Sequence, residues 1–249
     1  MTTLRAVFWD VDGTLADTEM DGHRPAFNRA FADLGLAWHW DPELYSRLLA
    51  IPGGSRRVEA YAKEMRTVLT AEQLDRLRVQ KRLHYLERIR QGCVGWRPGV
   101  QRLLFELDDA GLQQWIVTSS GAASVCALLE HNTTIPTFTG VVTADDVSAG
   151  KPDPEGYRLA LCRSGVNAGE AVVVEDSAAG LAAAKAAGLR CLLTPSSWDR
   201  ELQDAASQAS AVVDHLGDQG LPAQVVHGPP CSGGRVTLKY LQCLSVEQT

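Results

Sequence analysis

An α/β fold built on a parallel sheet is what this sequence predicts. Two observations lead there. A short apolar run at Leu4–Trp9 stops abruptly at Asp10, as a buried strand does when it ends at a turn, here at Gly13. From Pro98 to Thr194, strand-like and helix-like patterns then alternate, which implies strands laid side by side with helical crossovers.

The elements follow in order. Residues from about Glu19 to Arg90 are helical in character, with breaks near Gly35, Asp41-Pro42, Pro52-Gly53-Gly54 and Thr70. Ala26, Ala30 and Leu34 recur at helical spacing, as do Leu74, Leu77, Lys81 and Tyr85. This stretch reads as an inserted bundle of roughly 70 residues. Beyond it, Val100–Ala110 reads as a helix, Trp115–Val117 as a strand and Ala122–Glu130 as a helix. Val141–Thr143 is a strand pattern, Pro154–Arg163 a helix and Ala171–Val174 a buried strand. Ala178–Ala187 is a helix and Cys191–Thr194 a strand. Gly111, Gly165 and Gly188 stand where helices stop. The domain reading is therefore a core of residues 1–16 and 94–216, a helical insert at 17–93, and an extension at 217–249. That extension holds Gly-Pro-Pro and Cys-Ser-Gly-Gly and has too little periodicity to assign a structure.

Composition narrows the function classes. The chain has 249 residues, 45% apolar and 22% charged, with a formal net charge of −6. Those proportions suit a soluble globular protein. The acidic balance argues against nucleic acid or an anionic membrane as a general partner, so a phosphate site must be a local cationic pocket. Six scattered cysteines without C-x-x-C spacing suggest neither zinc nor a redox motif, and fit a reducing compartment. No run reaches the roughly 18 apolar residues of a membrane span, and the N-terminus lacks a secretory pattern. The expected location is the cytoplasm.

Four segments carry chemistry. In Asp10-Val11-Asp12-Gly13-Thr14 two carboxylates follow a strand at period-2 spacing, which places both on one side of the chain. At an effective dielectric of 20 their repulsion is roughly 4 kcal/mol at 4 Å, so the pair calls for a divalent cation between them. Oxygen-only ligands favour Mg2+. Glu175-Asp176 directly after Val172-Val173-Val174 supplies further carboxylates. In Lys151-Pro152-Asp153-Pro154 the prolines keep the backbone extended ahead of a helix. Lys151 there serves either as a cation in the strand-end crevice or as a surface charge. The run Val117-Thr118-Ser119-Ser120-Gly121 offers hydroxyls and backbone N–H groups. These suit a phosphate or a helix N-cap, and both roles are compatible.

These four segments, in this order, resemble the motifs of the haloacid dehalogenase superfamily, a resemblance running from about residue 4 to 215. Asp10, Asp12 and Thr14 match its first motif, Thr118 its second, Lys151 its third, and Glu175 with Asp176 its fourth. The resemblance is specifically to its CbbY-type sugar-phosphate phosphatases, kin of β-phosphoglucomutase. It rests further on Asp17-Thr18-Glu19, His23–Asn28, Gly53–Arg57, and Trp38, Trp40 and Asp41.

The resemblance implies a Rossmann-like parallel-sheet core with the helical insert as a cap. It implies Asp10 as the nucleophile that forms an aspartyl-phosphate, and Asp12 as the acid and base. The metal contacts it implies are Asp10, the backbone carbonyl of Asp12, and Asp176, with Glu175 close behind. Thr14, Thr118, Ser119 and Lys151 fall to the phosphate. Arg56 and Arg57 follow two glycines, so they read either as loop residues carried over the pocket to a phosphate or as solvated arginines at the start of a helix. His23 reads either as a pocket or as a cap-packing residue, and Glu19 with His23 as a candidate for pairing the sugar hydroxyls. The implied substrate is a small sugar phosphate, xylulose 1,5-bisphosphate, an inhibitor of the carbon-fixing carboxylase Rubisco of the Calvin cycle. The alternatives are a phosphomutase like β-phosphoglucomutase and a non-catalytic sugar-phosphate sensor. Neither the residues nor the resemblance fixes an oligomeric state.

Overall fold

The computed structural model describes residues 3–51, 53–131, 134–196 and 206–245. The chain divides into two compact units, Met1–Asp17 with Gly95–Thr249, and Thr18–Val94.

The first unit is built on a seven-stranded sheet: β1 (Ala6–Trp9), β2 (Gln113–Val117), β3 (Gly140–Val142), β4 (Ala171–Glu175), β5 (Arg190–Leu193), β6 (Ala211–Val213) and β7 (Val225–His227). The spatial order is β3-β2-β1-β4-β5-β6-β7. All neighbours are parallel except β6 and β7. β1 lies inside the sheet, between β2 and β4, because its four residues, Ala-Val-Phe-Trp, are fully buried and suit a strand covered on both faces. From β1 the chain runs outward through β2 and β3, then returns to place β4 on the other side. Such a reversal opens a crevice at the carboxyl ends of the strands. Register carries the chemistry there: Trp9 pairs with Ile116 and with Val174, so the next residues along are Asp10, Val117 and Glu175.

The helices of this unit are numbered with those of the other in chain order. α5 (Val100–Asp109), α6 (Ala122–His131), α7 (Glu155–Ser164) and α8 (Ala178–Ala186) cross between strands, and α9 (Leu238–Ser245) ends the described chain. Phe8, Trp115, Tyr157, Val173, Leu181 and Leu193 belong to one buried cluster.

The extension after residue 217 acquires its structure from distant partners rather than from local pattern. β7 closes the sheet edge antiparallel to β6, and α9 packs on β4, β5 and α5. Arg102 on α5 donates to the carbonyls of Leu216, Gly217 and Val236, while Glu106 one turn later accepts from the Leu238 N–H at the start of α9. Residues 246–249 lie outside the described part.

The second unit is helical: a helical turn at Glu19–His23, then α1 (Arg24–Asp33), α2 (Pro42–Leu48), α3 (Gly54–Glu64) and α4 (Ala71–Arg90). Asp41 caps α2, and Thr70 with Gln73 forms a capping box on α4. α1 packs along α4. The interior is aromatic, with Phe27, Phe31, Trp38, Trp40, Tyr45 and Tyr61 in mutual ring contact. Trp38, Trp40 and Asp41, singled out in the sequence, are thus core and cap residues of this unit. Among the described residues no helix is long and apolar enough to cross a membrane.

Candidate active site

At the carboxyl ends of β1, β2 and β4, strand register gathers four of the sequence motifs. Asp10 follows β1, is 6% exposed, and is anchored by its N–H to the Val174 carbonyl. Glu175 ends β4 with no exposure at all. Lys151 reaches between them. Its ammonium donates to Asp10 Oδ1 at 2.6 Å, Glu175 Oε1 at 2.5 Å and the Val117 carbonyl at 2.8 Å. Lys151 is therefore a crevice cation and not a surface charge.

Glu175 is held from every side. Its Oε1 also accepts from the Tyr157 hydroxyl at 2.7 Å, and its Oε2 accepts from Ser177 Oγ and the Asp176 N–H at 3.2 Å each. α8 comes so close that a Cβ on Gly180 would lie within about 2 Å of the carboxylate, so only glycine fits there. Asp176 packs on the first-motif turn in the same manner. Gly13 has φ +85°, and a Cβ there would lie 2.0 Å from Asp176 Oδ2. A side chain at 13 is therefore excluded both by the backbone and by Asp176.

Carboxylate oxygens of Asp10, Glu175 and Asp176 lie within 4.8 Å of one another. Electrostatics shows what this group lacks. Burial, with Glu175 and Asp12 adding to it and Lys151 opposing, pushes Asp10 up to about 8. Burial and the neighbouring Asp10 and Glu175 push Asp176 well above the carboxylate range. Burial works against the charge of Lys151, but Asp10 and Glu175 together outweigh it and raise its pKa. Burial likewise lifts the Tyr157 hydroxyl well above its ordinary value, so it stays a donor. One ammonium cannot neutralise two buried carboxylates and a half-buried third, and such charges are costly unless paired. The donor set is all oxygen, which suits a hard divalent cation. Since the oxygens of Glu175 are already engaged, the groups left to hold an ion are Asp10 and Asp176.

Asp12 departs from the sequence expectation of a cation lying between its carboxylate and that of Asp10. Its carboxylate is not part of the group of three. It accepts instead from Ser120 Oγ at 2.5 Å. The chain has left strand geometry by this point: Gly13 turns back to the Ala16 carbonyl. Only the backbone carbonyl of Asp12 is then a candidate ligand from this residue. Thr14 is fully buried. Thr118 is buried and its Oγ accepts from the Ser120 N–H, while Ser119 is exposed. At the start of α6, which the sequence suits to a phosphate, a cap or both, the Ala122 N–H donates to the carboxylate of Asp145.

The remaining candidates lie in the helical unit. Arg56 and Arg57 sit on the first turn of α3, at the helix start rather than in a loop. Arg56 is exposed. Arg57 is 6% exposed and turned inward, donating to Tyr45 Oη at 2.9 Å and lying 3.6 Å from Glu19. Tyr45 in turn donates to Glu19 Oε2 at 2.5 Å. The His23 ring lies 4.0 Å from that of Tyr85, with Nδ1 3.0 Å from Lys81 Nζ.

Sequence reasoning missed Tyr157, Tyr45 and Arg97, and took Ser120 only as one hydroxyl of the run after β2. Arg97 is the least expected. Its guanidinium donates to the carbonyls of Gly13, Thr194, Pro195 and Asp214, tying the ends of β1, β5 and β6 beside the acidic group. Burial lowers its pKa, while Asp176, Asp17 and Asp214 oppose the shift. Arg97→Ala should lower unfolding free energy by about 3 kcal/mol, because buried carbonyls lose their donor. Arg97→Lys should recover part of that loss, since an ammonium has three donors for four carbonyls. Urea denaturation of the three proteins measures both.

Comparison with known proteins supports the same assignment. Residues 7–194 match the family model described as haloacid dehalogenase-like hydrolase. The chain is 40% identical over 227 residues to the plasmid-encoded protein CbbY of Cupriavidus necator, covering 88% of each chain. It is 34% identical to the crystal structure of CbbY from Rhodobacter sphaeroides in complex with phosphate, with a TM-score of 0.76 over 88% of this chain and 97% of that one. An aspartate-to-asparagine mutant of that protein in complex with xylulose 1,5-bisphosphate matches with a TM-score of 0.75, covering 88% of this chain and 99% of that one.

Proposed function

The chain belongs to the haloacid dehalogenase-like hydrolases, among the CbbY proteins, and is a phosphatase; from this premise we propose that it hydrolyses xylulose 1,5-bisphosphate to xylulose 5-phosphate and phosphate through an aspartyl-phosphate on Asp10. One observation carries the choice of sugar: a relative sharing this fold and a third of its residues has been crystallised with that compound. The chemistry rests on Asp10, which stands at the crevice with Lys151 on one oxygen.

In this reading a carboxylate oxygen of Asp10 attacks phosphorus in line, and the bond from phosphorus to the sugar oxygen breaks. Asp12 protonates the departing oxygen, then takes a proton from the water that attacks the aspartyl-phosphate. Splitting one difficult displacement into two easier ones is what a carboxylate nucleophile achieves. Lys151 offsets the charge of the phosphate that Asp10 must approach, with Thr118 and Ser119 as further donors. Glu175 holds Lys151 in place. Asp10, Asp176 and the backbone carbonyl of Asp12 would hold Mg2+, which when bound supplies positive charge against the phosphoryl oxygens. Ser120 keeps the Asp12 carboxyl beside the crevice. Glu19, His23 and Arg56 stand in the helical unit as candidates for reading the rest of the sugar, and Arg57 serves them by fixing Tyr45 and Glu19.

The test is a comparison of epimers. Xylulose 1,5-bisphosphate should be hydrolysed with a kcat/KM at least about 100-fold above that of ribulose 1,5-bisphosphate. The two carry identical charges and differ only in the configuration at one hydroxyl-bearing carbon, so a site built to pair that hydroxyl leaves a buried polar group unpaired with the wrong epimer. Equal cleavage of both refutes the substrate. Conversion of β-glucose 1-phosphate to glucose 6-phosphate in the same screen points to a mutase instead.

A further inference from the structure

We propose that Tyr157 is a positioning residue that acts on Lys151 through Glu175. The inference deepens the reading above, since it takes Lys151 to hold the phosphate under attack.

An ammonium has three N–H donors, and those of Lys151 meet three acceptors: Asp10 Oδ1, the Val117 carbonyl and Glu175 Oε1. The Val117 carbonyl is fixed with the sheet, as the last residue of β2. The other two acceptors are side-chain carboxylates with broad, roughly two-fold terminal torsions. That of Asp10 hangs on a backbone held by its N–H to Val174, whereas that of Glu175 is one carbon longer, so its chain alone does not aim it. What aims it is its hydrogen bonding. Ser177 and the Asp176 N–H take Oε2. On Oε1 the donors are Lys151 and the Tyr157 hydroxyl.

Tyr157 suits this task. It is fully buried and lies on α7, six residues after Lys151. Its ring also lies 5.2 Å from Lys151 Nζ, within reach of a cation–π contact. The aromatic face and the hydroxyl thus approach the lysine by separate routes, one direct and one through Glu175. A phenylalanine keeps the first and removes the second. Without the hydroxyl, Glu175 Oε1 keeps only the lysine as donor. Carboxylate and ammonium are then free to shift together, away from Asp10 and from the place of the phosphate.

The experiment uses full-length wild type, Tyr157→Phe, Lys151→Ala and the double variant. Affinity for inorganic phosphate, with magnesium present, is read from the thermal shift that phosphate produces. Tyr157→Phe is expected to fold, because the ring remains. It should weaken phosphate about 10-fold when Lys151 is present, a size fitting one charge-assisted hydrogen bond. In the Lys151→Ala background the same change should alter affinity less than about twofold, because the residue it acts on is gone. Any loss of thermal midpoint without phosphate should be alike in both backgrounds, which separates aiming the lysine from supporting the fold. An effect of Tyr157→Phe below about twofold in the Lys151 protein overturns the proposal, as does an equal loss in both backgrounds. If Lys151→Ala binds phosphate as tightly as wild type, the assignment of Lys151 to the phosphate fails first, and the role of Tyr157 falls with it.

Discussion

Asp10→Asn should lower kcat by at least about 10,000-fold, a loss of roughly 5.5 kcal/mol of transition-state stabilisation, with the fold intact. The amide has the size of the carboxyl and still presents an oxygen to Lys151, so the contact at Oδ1 survives. What disappears is the negative oxygen that attacks phosphorus. Stability should not suffer. Burial beside Glu175 and Asp12 already disfavours the charge at Asp10, and its removal relieves that repulsion in metal-free protein. A thermal midpoint at or above that of the wild type, with turnover gone, is therefore the expected combination. Substantial turnover in purified Asp10→Asn would refute the covalent route.

Metal removal should have an effect of similar size. With a chelator activity should fall to background, and magnesium should restore it. Calcium should restore it poorly, because it favours more ligands and longer bonds and so misplaces Asp10. Thermal stability provides a second readout, with a sign set by Asp10. Its pKa rises from the ordinary carboxylate value when unfolded to about 8 when folded without metal. The stability this contributes is fully present below about pH 4 and is lost as pH rises through 8. Metal-free protein should therefore become less stable across that window. Magnesium binds the ionised carboxylates, so the rise in thermal midpoint on adding it should grow with pH between about 5 and 8. A midpoint indifferent to magnesium at pH 8 would remove the argument from the buried carboxylates.

The parts of this site that could be read in the sequence share one property. Asp10, Thr118, Glu175 and Asp176 each follow directly on a short apolar strand, and Lys151 stands between prolines ahead of a helix. Local pattern announces the strand, and parallel pairing then brings the strand ends together. The residues whose roles escaped notice take their meaning from partners far along the chain. Ser120 meets Asp12 across 108 positions, and Arg97 reaches carbonyls up to 117 positions away. Tyr157 reads as one more apolar residue of α7 until its hydroxyl is seen on Glu175. The pairing of carboxylates shifted for the same reason. Period-2 spacing joined Asp10 to Asp12, whereas β4 beside β1 joins Asp10 to Glu175 and Asp176. The two glycines before Arg57 left it open between a loop and a helix start, and its partners Glu19 and Tyr45, distant in sequence, are what turn it inward. The extension after residue 217 showed no periodicity because β7 is three residues long and the clamps that hold the segment, Arg102 and Glu106, lie more than 100 positions earlier.

The most direct test is to trap the intermediate. Wild-type enzyme, mixed with magnesium and xylulose 1,5-bisphosphate carrying a radiolabelled 1-phosphate, is quenched in acid within a single turnover and digested. Label is expected on the peptide containing Asp10, rising and decaying ahead of free phosphate, with no label in Asp10→Asn. Release of labelled phosphate with no protein-bound label at any time, or label on a peptide lacking Asp10, would contradict a covalent intermediate on Asp10.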